Sequence, residues 1–347
     1  MSLDTLLDAV HQAIASATPL RIRGGDSKAF LGRPTPGTPL DTRGHRGIVS
    51  YDPTELVVSV RAGTPLRELN AALAEAGQML PCEPPDFDGQ ATVGGMVAAG
   101  LAGPRRPWSG AVRDFVLGTR VITGTGKHLR FGGEVMKNVA GYDLSRLLAG
   151  SFGSLGLLTE VSLKVLPSPR CSASLTLDLG PAEALRRLTE WGQQALPISG
   201  ACYHDEVLHL RLEGGEGSVA AARERLGCSA ADAQFWVDLR EQRLPFFRDP
   251  RPLWRLSLPF NVGLLELPGT QLLDWAGAQR WLKSDAEAGH IRAAASTLGG
   301  HASCFSSGAC DTPFQPLAPA LLRYHQQLKA QLDPHGIFNP GRLYPEL

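Results

Sequence analysis

Cysteine is scarce and scattered in this chain. Six occur in 347 residues, Cys82, Cys171, Cys202, Cys228, Cys304 and Cys310. None forms a C-x-x-C pair, and no close group could hold zinc or an iron–sulfur cluster. They are therefore expected as reduced, mostly buried thiols of a cytoplasmic protein. Charge of one sign is missing too. Lys plus Arg and Asp plus Glu are both 34, for a formal net charge of zero, which excludes the electrostatic footprint of a nucleic-acid binder or an anionic-membrane binder. No apolar run approaches the ~20 residues of a membrane-spanning helix. The opening MSLDTLLDAVHQAIASA carries acidic residues but no Lys or Arg, so it lacks the basic region of a signal peptide. The expected location is the cytoplasm, where partner proteins could hold the chain at the inner face of the membrane.

Glycine is abundant, at 39 residues. It gathers in three passages, each beside a β-type run: Ile22 to Lys28 (IRGGDSK), Thr92 to Gly103 (TVGGMVAAGLAG) and Leu148 to Val165 (LAGSFGSLGLLTEVSLKV). Bare backbone is costly in conformational entropy, so something requires it there. Alone, each passage also reads as an ordinary tight turn. Three together favour one extended, phosphate-bearing ligand laid across backbone amides. The last passage, with Lys137-Asn138-Val139-Ala140-Gly141-Tyr142 before it, reads as a short helix from about Asp143, a glycine-rich passage, then a strand from near Leu157.

The rest of the first half alternates strand and helix. Leu3 to Ala15 has helical spacing, Leu20 to Arg23 reads as a strand, Leu56 to Arg61 as another, and Leu66 to Ala76 as a helix. Leu80 to Pro85 is extended because of its prolines. Val116 to Thr123 and His128 to Phe131 form a hairpin about Gly124 to Lys127.

This order of passages, RGGDSK, RAGTPLRELNAALAEAGQMLP, TVGGMVAAGLAG, DFVLGTRVITGTGKHLRFG and KNVAGYDLSRLLAGSFGSLGLLTEVSLKVLP, resembles the FAD-binding domain of the vanillyl-alcohol oxidase or p-cresol methylhydroxylase type. Within that family it is most similar to FAD-binding subunits of bacterial glycolate oxidase. The resemblance is dense over residues 15 to 168 and returns at DPHGIFNPGRLYP. It implies an α+β chain: a two-subdomain FAD-binding fold over 1–168, an α+β cap of ferredoxin-like order over 169–300, and a tail, 301–347, that packs back on the FAD domain.

The resemblance also implies site residues. Arg23, Gly24, Gly25, Asp26, Ser27 and Lys28 would wrap the pyrophosphate, with Ser27 and the Lys28 charge as further donors. Thr92, Val93, Gly94, Gly95 and Gly100 would lie along pyrophosphate and flavin ring. Gly150, Gly153, Ser154, Gly156 and Val161 would border the adenosine end. Asn339 would either bond the isoalloxazine or serve as a structural turn residue. Lys137 and Asn138 could face a partner or the ring. Some relatives bond flavin to a histidine of the first loop; RGGDSK has none, so FAD is expected to be non-covalent. Trp108-Ser109-Gly110 stands where relatives carry Tyr-Gly.

Beyond Pro167-Ser168-Pro169 the pattern is strand (Ala173 to Leu179), helix (Pro181 to Gln194), strands (Ile198 to His204, Val207 to Glu213) and helix (Gly217 to Leu226). Further β-runs are expected at Gln234 to Leu239 and Trp254 to Leu258, in a sheet with helices on one face. Oxidation of a 2-hydroxy acid needs a base and a cation for the carboxylate. Arg105, Arg106, Arg251, Arg255 and Arg292 could clamp a carboxylate. No base is recognisable, since His204 and His209 read as structural and His290 and His301 stand alone. No metal ligand set is recognised. The resemblance thus implies an FAD-binding subunit of a glycolate (2-hydroxy acid) oxidising complex, with a larger homologous FAD subunit and an iron–sulfur subunit as partners. A self-sufficient hydroxy-acid dehydrogenase and a structural subunit with a degenerate flavin site are the alternatives.

Overall fold

A computed structural model describes residues 1–133 and 143–347; Lys137, Asn138, Gly141 and Tyr142 lie outside the described residues. The chain divides into two units. The first comprises 1–102, 111–168 and 316–347, and the second 103–110 and 169–315. The break at 168/169 coincides with Pro167-Ser168-Pro169, while the tail rejoins the first unit at Pro316 rather than at 301.

In the first unit, β1 (Leu20–Arg23) pairs in parallel with β2 (Thr38–Asp41). Three further strands, β3 (Ile48–Asp52), β4 (Val57–Arg61) and the two-residue β5 (Gln78–Met79), precede β6 (Val116–Ile122), β7 (His128–Gly132), β8 (Leu157–Lys164) and β9 (Leu166–Pro167). The main sheet has the order β3-β4-β8-β6-β7, all antiparallel. β8 is central and buries all but Glu160 and Lys164. Helix Leu66–Glu75 buries Leu66, Leu69 and Leu73 at spacings of three and four, and helix Val93–Ala99 buries Val93, Met96 and Val97, in one core with Val58, Val60, Val161 and Leu163. Helix Leu3–Ser16 is capped by the Ser2 hydroxyl and buries Leu6, Val10 and Ala13 in a second core with Leu20, Ile122, Leu157, Ile337 and Phe338. The expected short helix spans Leu144–Leu147, capped by Asp143.

The second unit holds β10 (Cys171–Asp178), β11 (Ile198–His204), β12 (Val207–Gly214), β13 (Ser229–Ala230), β14 (Leu253–Ser257), β15 (Thr270–Asp274), β16 (Gln279–Lys283) and β17 (His301–Cys304). They form one sheet of order β13-β10-β12-β11-β15-β16-β14-β17, antiparallel at every pairing. Numbered within each half, the order is 4-1-3-2 followed by 2-3-1-4, so the ferredoxin-like arrangement occurs twice, back to back. The ladder joins the halves at one residue pair, Tyr203 and Leu273, and Leu273 and Ala276 also pack into the core of the first half. Helices Pro181–Gly192 and Glu216–Leu226 cover one half, and Ala288–Thr297 covers the other.

Two expectations fail here. Gln234–Arg240 is a helix, not a strand. The Asp232 carboxylate accepts the Gln234 N–H, Gln234 bonds Asp238 one turn on, and Trp236 and Leu239 share the buried face, a period of three that the β-type run Phe235-Trp236-Val237 conceals. That helix also lies on the face opposite the others. Trp236 bonds Ser174 through Nε1 and fills the space left by the missing side chain of Gly200, so the helices are not confined to one face.

Candidate functional site

In the first unit, β1 runs into the turn Gly24 to Lys28. Asp26 has φ +58°, and the backbone N–H groups of Gly24, Gly25, Asp26 and Ser27 have no acceptor among the described residues. Successive open amides of this kind form a concavity that suits an anion. The turn cannot carry side chains at its glycines. A Cβ on Gly25 would overlap the Gln90 carbonyl, and one on Gly24 the Thr92 hydroxyl. Arg23 pairs with Asp26 at 3.0 Å. The Lys28 ammonium is already engaged, donating to Pro85 O at 3.1 Å and Ser27 Oγ at 3.2 Å and lying 5.0 Å from the Phe87 ring centre. It locks the turn to residues 85–87.

The second passage enters as the helix Val93–Ala99, capped by Thr92 Oγ1 on Gly95 N. The amides of Val93 and Gly94 are taken by Thr64 O and Ala62 O. What this passage offers is closeness: a Cβ at Gly94 would stand 2.7 Å from that of Ala62. The third passage turns at Phe152 (φ +52°) and Gly153 (φ +69°), the latter a conformation suited to glycine. Ser154 is buried and donates to Ser151 O at 2.7 Å, and Val161 is a fully buried core residue of β8. Gly100 lies against Gly150, joining the second passage to the third.

The three passages enclose a cavity of about 80 Å³ lined by Ile22, Gly24, Gly94, Gly95, Gly153, Gly156 and Asn339, among others. A cavity of this size receives one segment of an extended ligand. Asn339 closes it: Oδ1 accepts Ile22 N at 2.8 Å and Nδ2 donates to Phe152 O at 2.7 Å. It therefore ties the first glycine passage to the third. Behind it, the buried Lys329 ammonium donates to Ser154 O (2.7 Å), Phe338 O (2.8 Å) and Asp333 Oδ2 (2.6 Å). Asp333 in turn accepts the amides of Ile337 and Phe338. Burial pushes Lys329 down, and Asp333 offsets this in part. Arg342 donates to the carbonyls of Arg33, Lys28 and Ala29, holding the first turn from outside.

Asn339, expected either to bond the isoalloxazine or to serve as a structural turn residue, has its amide engaged by the backbone of Ile22 and Phe152; Lys329, Asp333 and Arg342 were not singled out from the sequence. A Lys and Asp four apart at a helix end were the available signal, and on a surface helix that spacing marks only a modest ion pair.

Comparison with known proteins decides the family. The chain is 64% identical over 342 residues to glycolate oxidase subunit GlcE of Escherichia coli (strain K12), covering 99% of this chain and 97% of that one. The chain belongs to the GlcE family of glycolate oxidase subunits. The family profile described as an FAD binding domain (FAD_binding_4) matches residues 1–132, the stretch that carries the open turn and the capped helix. This member of the GlcE family is thus an FAD-dependent oxidoreductase component, and its glycine-lined cavity and open amides fit FAD. Shorter likenesses include a D-lactate dehydrogenase of Anaerostipes hadrus (37% over 130 residues) and glycolate oxidase subunit GlcD of Bacillus subtilis (strain 168) (34% over 128 residues); the chain spans 27% of each. Among solved structures, an alkyldihydroxyacetonephosphate synthase matches with TM-score 0.68 at 16% identity, over 98% of this chain and 74% of that one. The fold is shared.

The second unit has a separate set of polar side chains. His209 stacks on Phe235, centroids 3.6 Å apart and 4° from parallel, and burial, with His204 adding, pushes its imidazole down to about 4. His204 meets Phe246 edge-on at 5.8 Å. Of the five arginines singled out above, Arg105 pairs with Glu213, Arg251 with Asp249, and Arg292 donates to Thr312 O and Phe314 O. Arg106 lies over the Trp275 ring at 4.4 Å and Arg255 over Phe305 at 4.9 Å.

Proposed function

We propose that this chain is the FAD-binding subunit of a glycolate-oxidising complex. It holds FAD non-covalently, delivers electrons to an iron–sulfur partner subunit, and leaves most substrate handling to a larger homologous FAD subunit. The observation that carries the reading is the main-chain cradle: four open amides at Gly24 to Ser27, beside a glycine-lined cavity clasped by Asn339. Bound FAD supplies the two-electron redox chemistry, and the protein supplies position and electrostatics. Here the turn at 24–27 takes the pyrophosphate charge, the walls at Gly94 and Gly153 admit the ligand against backbone, and Lys329, Asp333 and Arg342 hold those walls. The relative's description as a subunit supports a heteromeric complex, as does the GlcD likeness in the matching domain. An iron–sulfur partner suits a reduced flavin, which can release its two electrons singly to one-electron centres. The cytoplasm is the compartment in which we place the complex.

The test is the absorbance spectrum of the purified chain before and after acid precipitation, then with glycolate, alone and with its partner subunits. Flavin released to the supernatant, reduced by glycolate only when partners are present, is the expected outcome. Bleaching of the isolated chain by glycolate would replace this reading with a self-sufficient dehydrogenase. A colourless chain that refuses added FAD would leave only a structural subunit.

A further inference from the structure

We propose that Trp275 is a positioning residue for the flavin site: it clamps the arm formed by residues 103–110 and, through the arm, holds the glycine helix Val93–Ala99 where it lines the cavity. This rests on the flavin-subunit reading for its ligand. It goes beyond that reading in giving a side chain outside the cavity a part in flavin binding.

The path of the chain makes the arm. It leaves the first unit after Ala102, gives residues 103–110 to the second, and re-enters the first at Ala111. Just before the arm comes helix Val93–Ala99, whose Gly94, Gly95 and Ala98 line the cavity. That helix ends at Gly100, which is left-handed at φ +65° and closes the last turn by donating its N–H to Met96 O at 3.0 Å. Only Gly100, Leu101 and Ala102 separate helix from arm, and Leu101 is buried. A displacement at Gly103 therefore reaches the cavity wall through a short, packed connection.

The grip on the arm requires unusual backbone. Trp275 and Ala276, in the turn between β15 and β16, have φ +53° and +55°, a conformation that a bulky residue rarely adopts and that persists only where its surroundings enforce it. Asp274 enforces it, its carboxylate accepting Trp275 N at 2.7 Å and Gln279 Nε2 at 3.0 Å. So held, the buried indole donates from Nε1 to Gly103 O at 3.0 Å, the same carbonyl that accepts Arg106 N at 3.2 Å. The Arg106 guanidinium lies over the indole, 4.4 Å from the ring centre, and Glu213 fixes Arg105 between them. One indole thus engages both ends of the arm's first turn. A turn needed only to join two strands would carry glycine or asparagine at 275 with less strain. The tryptophan is explained by what its ring reaches.

The experiment titrates FAD into the full chain and measures, for each variant, flavin affinity, the visible circular dichroism of bound flavin and the unfolding midpoint. Trp275→Phe keeps a ring under Arg106 but has no donor. Its flavin affinity should fall about fivefold, the effect of one hydrogen bond, with an altered dichroism band. Trp275→His, at about pH 8 where imidazole is neutral, can place Nε2–H where the indole Nε1–H stood. It should restore affinity to within about twofold of wild type, although its smaller ring leaves the midpoint no higher than that of Trp275→Phe. Val219→Ala, in the core of the same unit, should lower the midpoint and leave affinity and band unchanged. A merely structural tryptophan would make affinity follow stability, with Phe above His. That ranking, or wild-type affinity in Trp275→Phe, overturns the clamp. If neither Trp275 variant folds, Arg106→Leu should weaken flavin binding about two- to threefold by loss of the cation over the ring, and unchanged affinity there overturns it instead. Hydrogen exchange separates the two readings. The Gly100 amide proton should exchange faster in Trp275→Phe than in wild type, with or without flavin. Faster exchange in a chain that refuses FAD refutes the flavin subunit alone, and unchanged exchange in a yellow chain refutes the clamp alone.

Discussion

The two units differ in which part of the chain they leave open. In the first, the presented surface is main chain: the amides of residues 24–27 and the bare faces of Gly94 and Gly153, with side chains such as Lys28, Lys329, Asn339 and Arg342 turned inward to hold loops. In the second, the backbone is spent on an antiparallel sheet, and polar side chains stand on its faces. A main-chain site depends on what is absent from each position, so almost any added atom harms it. A side-chain site depends on single residues that the fold does not need.

That contrast can be pressed by substitution. The largest effect is expected at Gly25→Ala, whose Cβ would overlap the Gln90 carbonyl. Overpacking against backbone should cost about 3 kcal/mol or more and abolish flavin retention, read by denaturant unfolding and the supernatant spectrum. Lys329→Met comes close to it. Asp333 would be left buried without its cation, at about 3–5 kcal/mol, and flavin should be lost with the loops that Lys329 anchors. Asn339→Ala removes the acceptor for Ile22 N and the donor to Phe152 O, costing about 1–3 kcal/mol; flavin affinity should fall more than the unfolding midpoint does, because both loops line the cavity.

The second unit should answer to pH instead. His209 is held near 4 against an ordinary 6.5, so the unfolded chain binds more protons between those values and stability rises with pH across that window. The contribution is whole above about 6.5 and is lost as pH falls toward about 4. His209→Leu should flatten the unfolding midpoint over that range, and an unchanged pH profile would contradict the assignment. The smallest effect is a gain. Gly217→Ala, in helix Glu216–Leu226 with open space around it, should add about 0.5–1 kcal/mol. A glycine of this kind is replaceable; Gly25 is not.

The same contrast explains what the sequence disclosed. Glycine passages at 24–25, 94–95 and 150–156 are legible because a bare residue in a β-flanked turn is costly and rarely placed without need. The cap's strands and helices up to residue 226 and the strand about Trp254 are legible from period; the strands Thr270–Asp274, Gln279–Lys283 and His301–Cys304 and the helix Ala288–Thr297 were not read from it, and at Gln234–Arg240 Phe235 and Val237 mimic a strand while Trp236 and Leu239 do the packing. Arg255 and His301 were singled out from the sequence, Ser257 and Ser303 were not, and the four carried no spacing signal. They meet only through the register of β14 with β16 and β17, which places a residue at 255 beside one at 303. Lys329 and Asp333 were hidden for another reason: helix Pro319–Leu332 is mostly exposed, and Lys329 is its one buried residue. No apolar stripe announced that face.

The back-to-back order of the eight strands has a mechanical consequence. The long strand pairs within each half are joined by several residue pairs, eight between β10 and β12 and five between β14 and β16, whereas the backbone ladder between the halves has the single rung of Tyr203 and Leu273, supplemented by the packing of Leu273 and Ala276 into the first half's core. Shear applied along the sheet would meet the fewest backbone hydrogen bonds at that rung, leaving side-chain packing to hold the line. Amide protons bordering the line should exchange with solvent before those in the interior of either half.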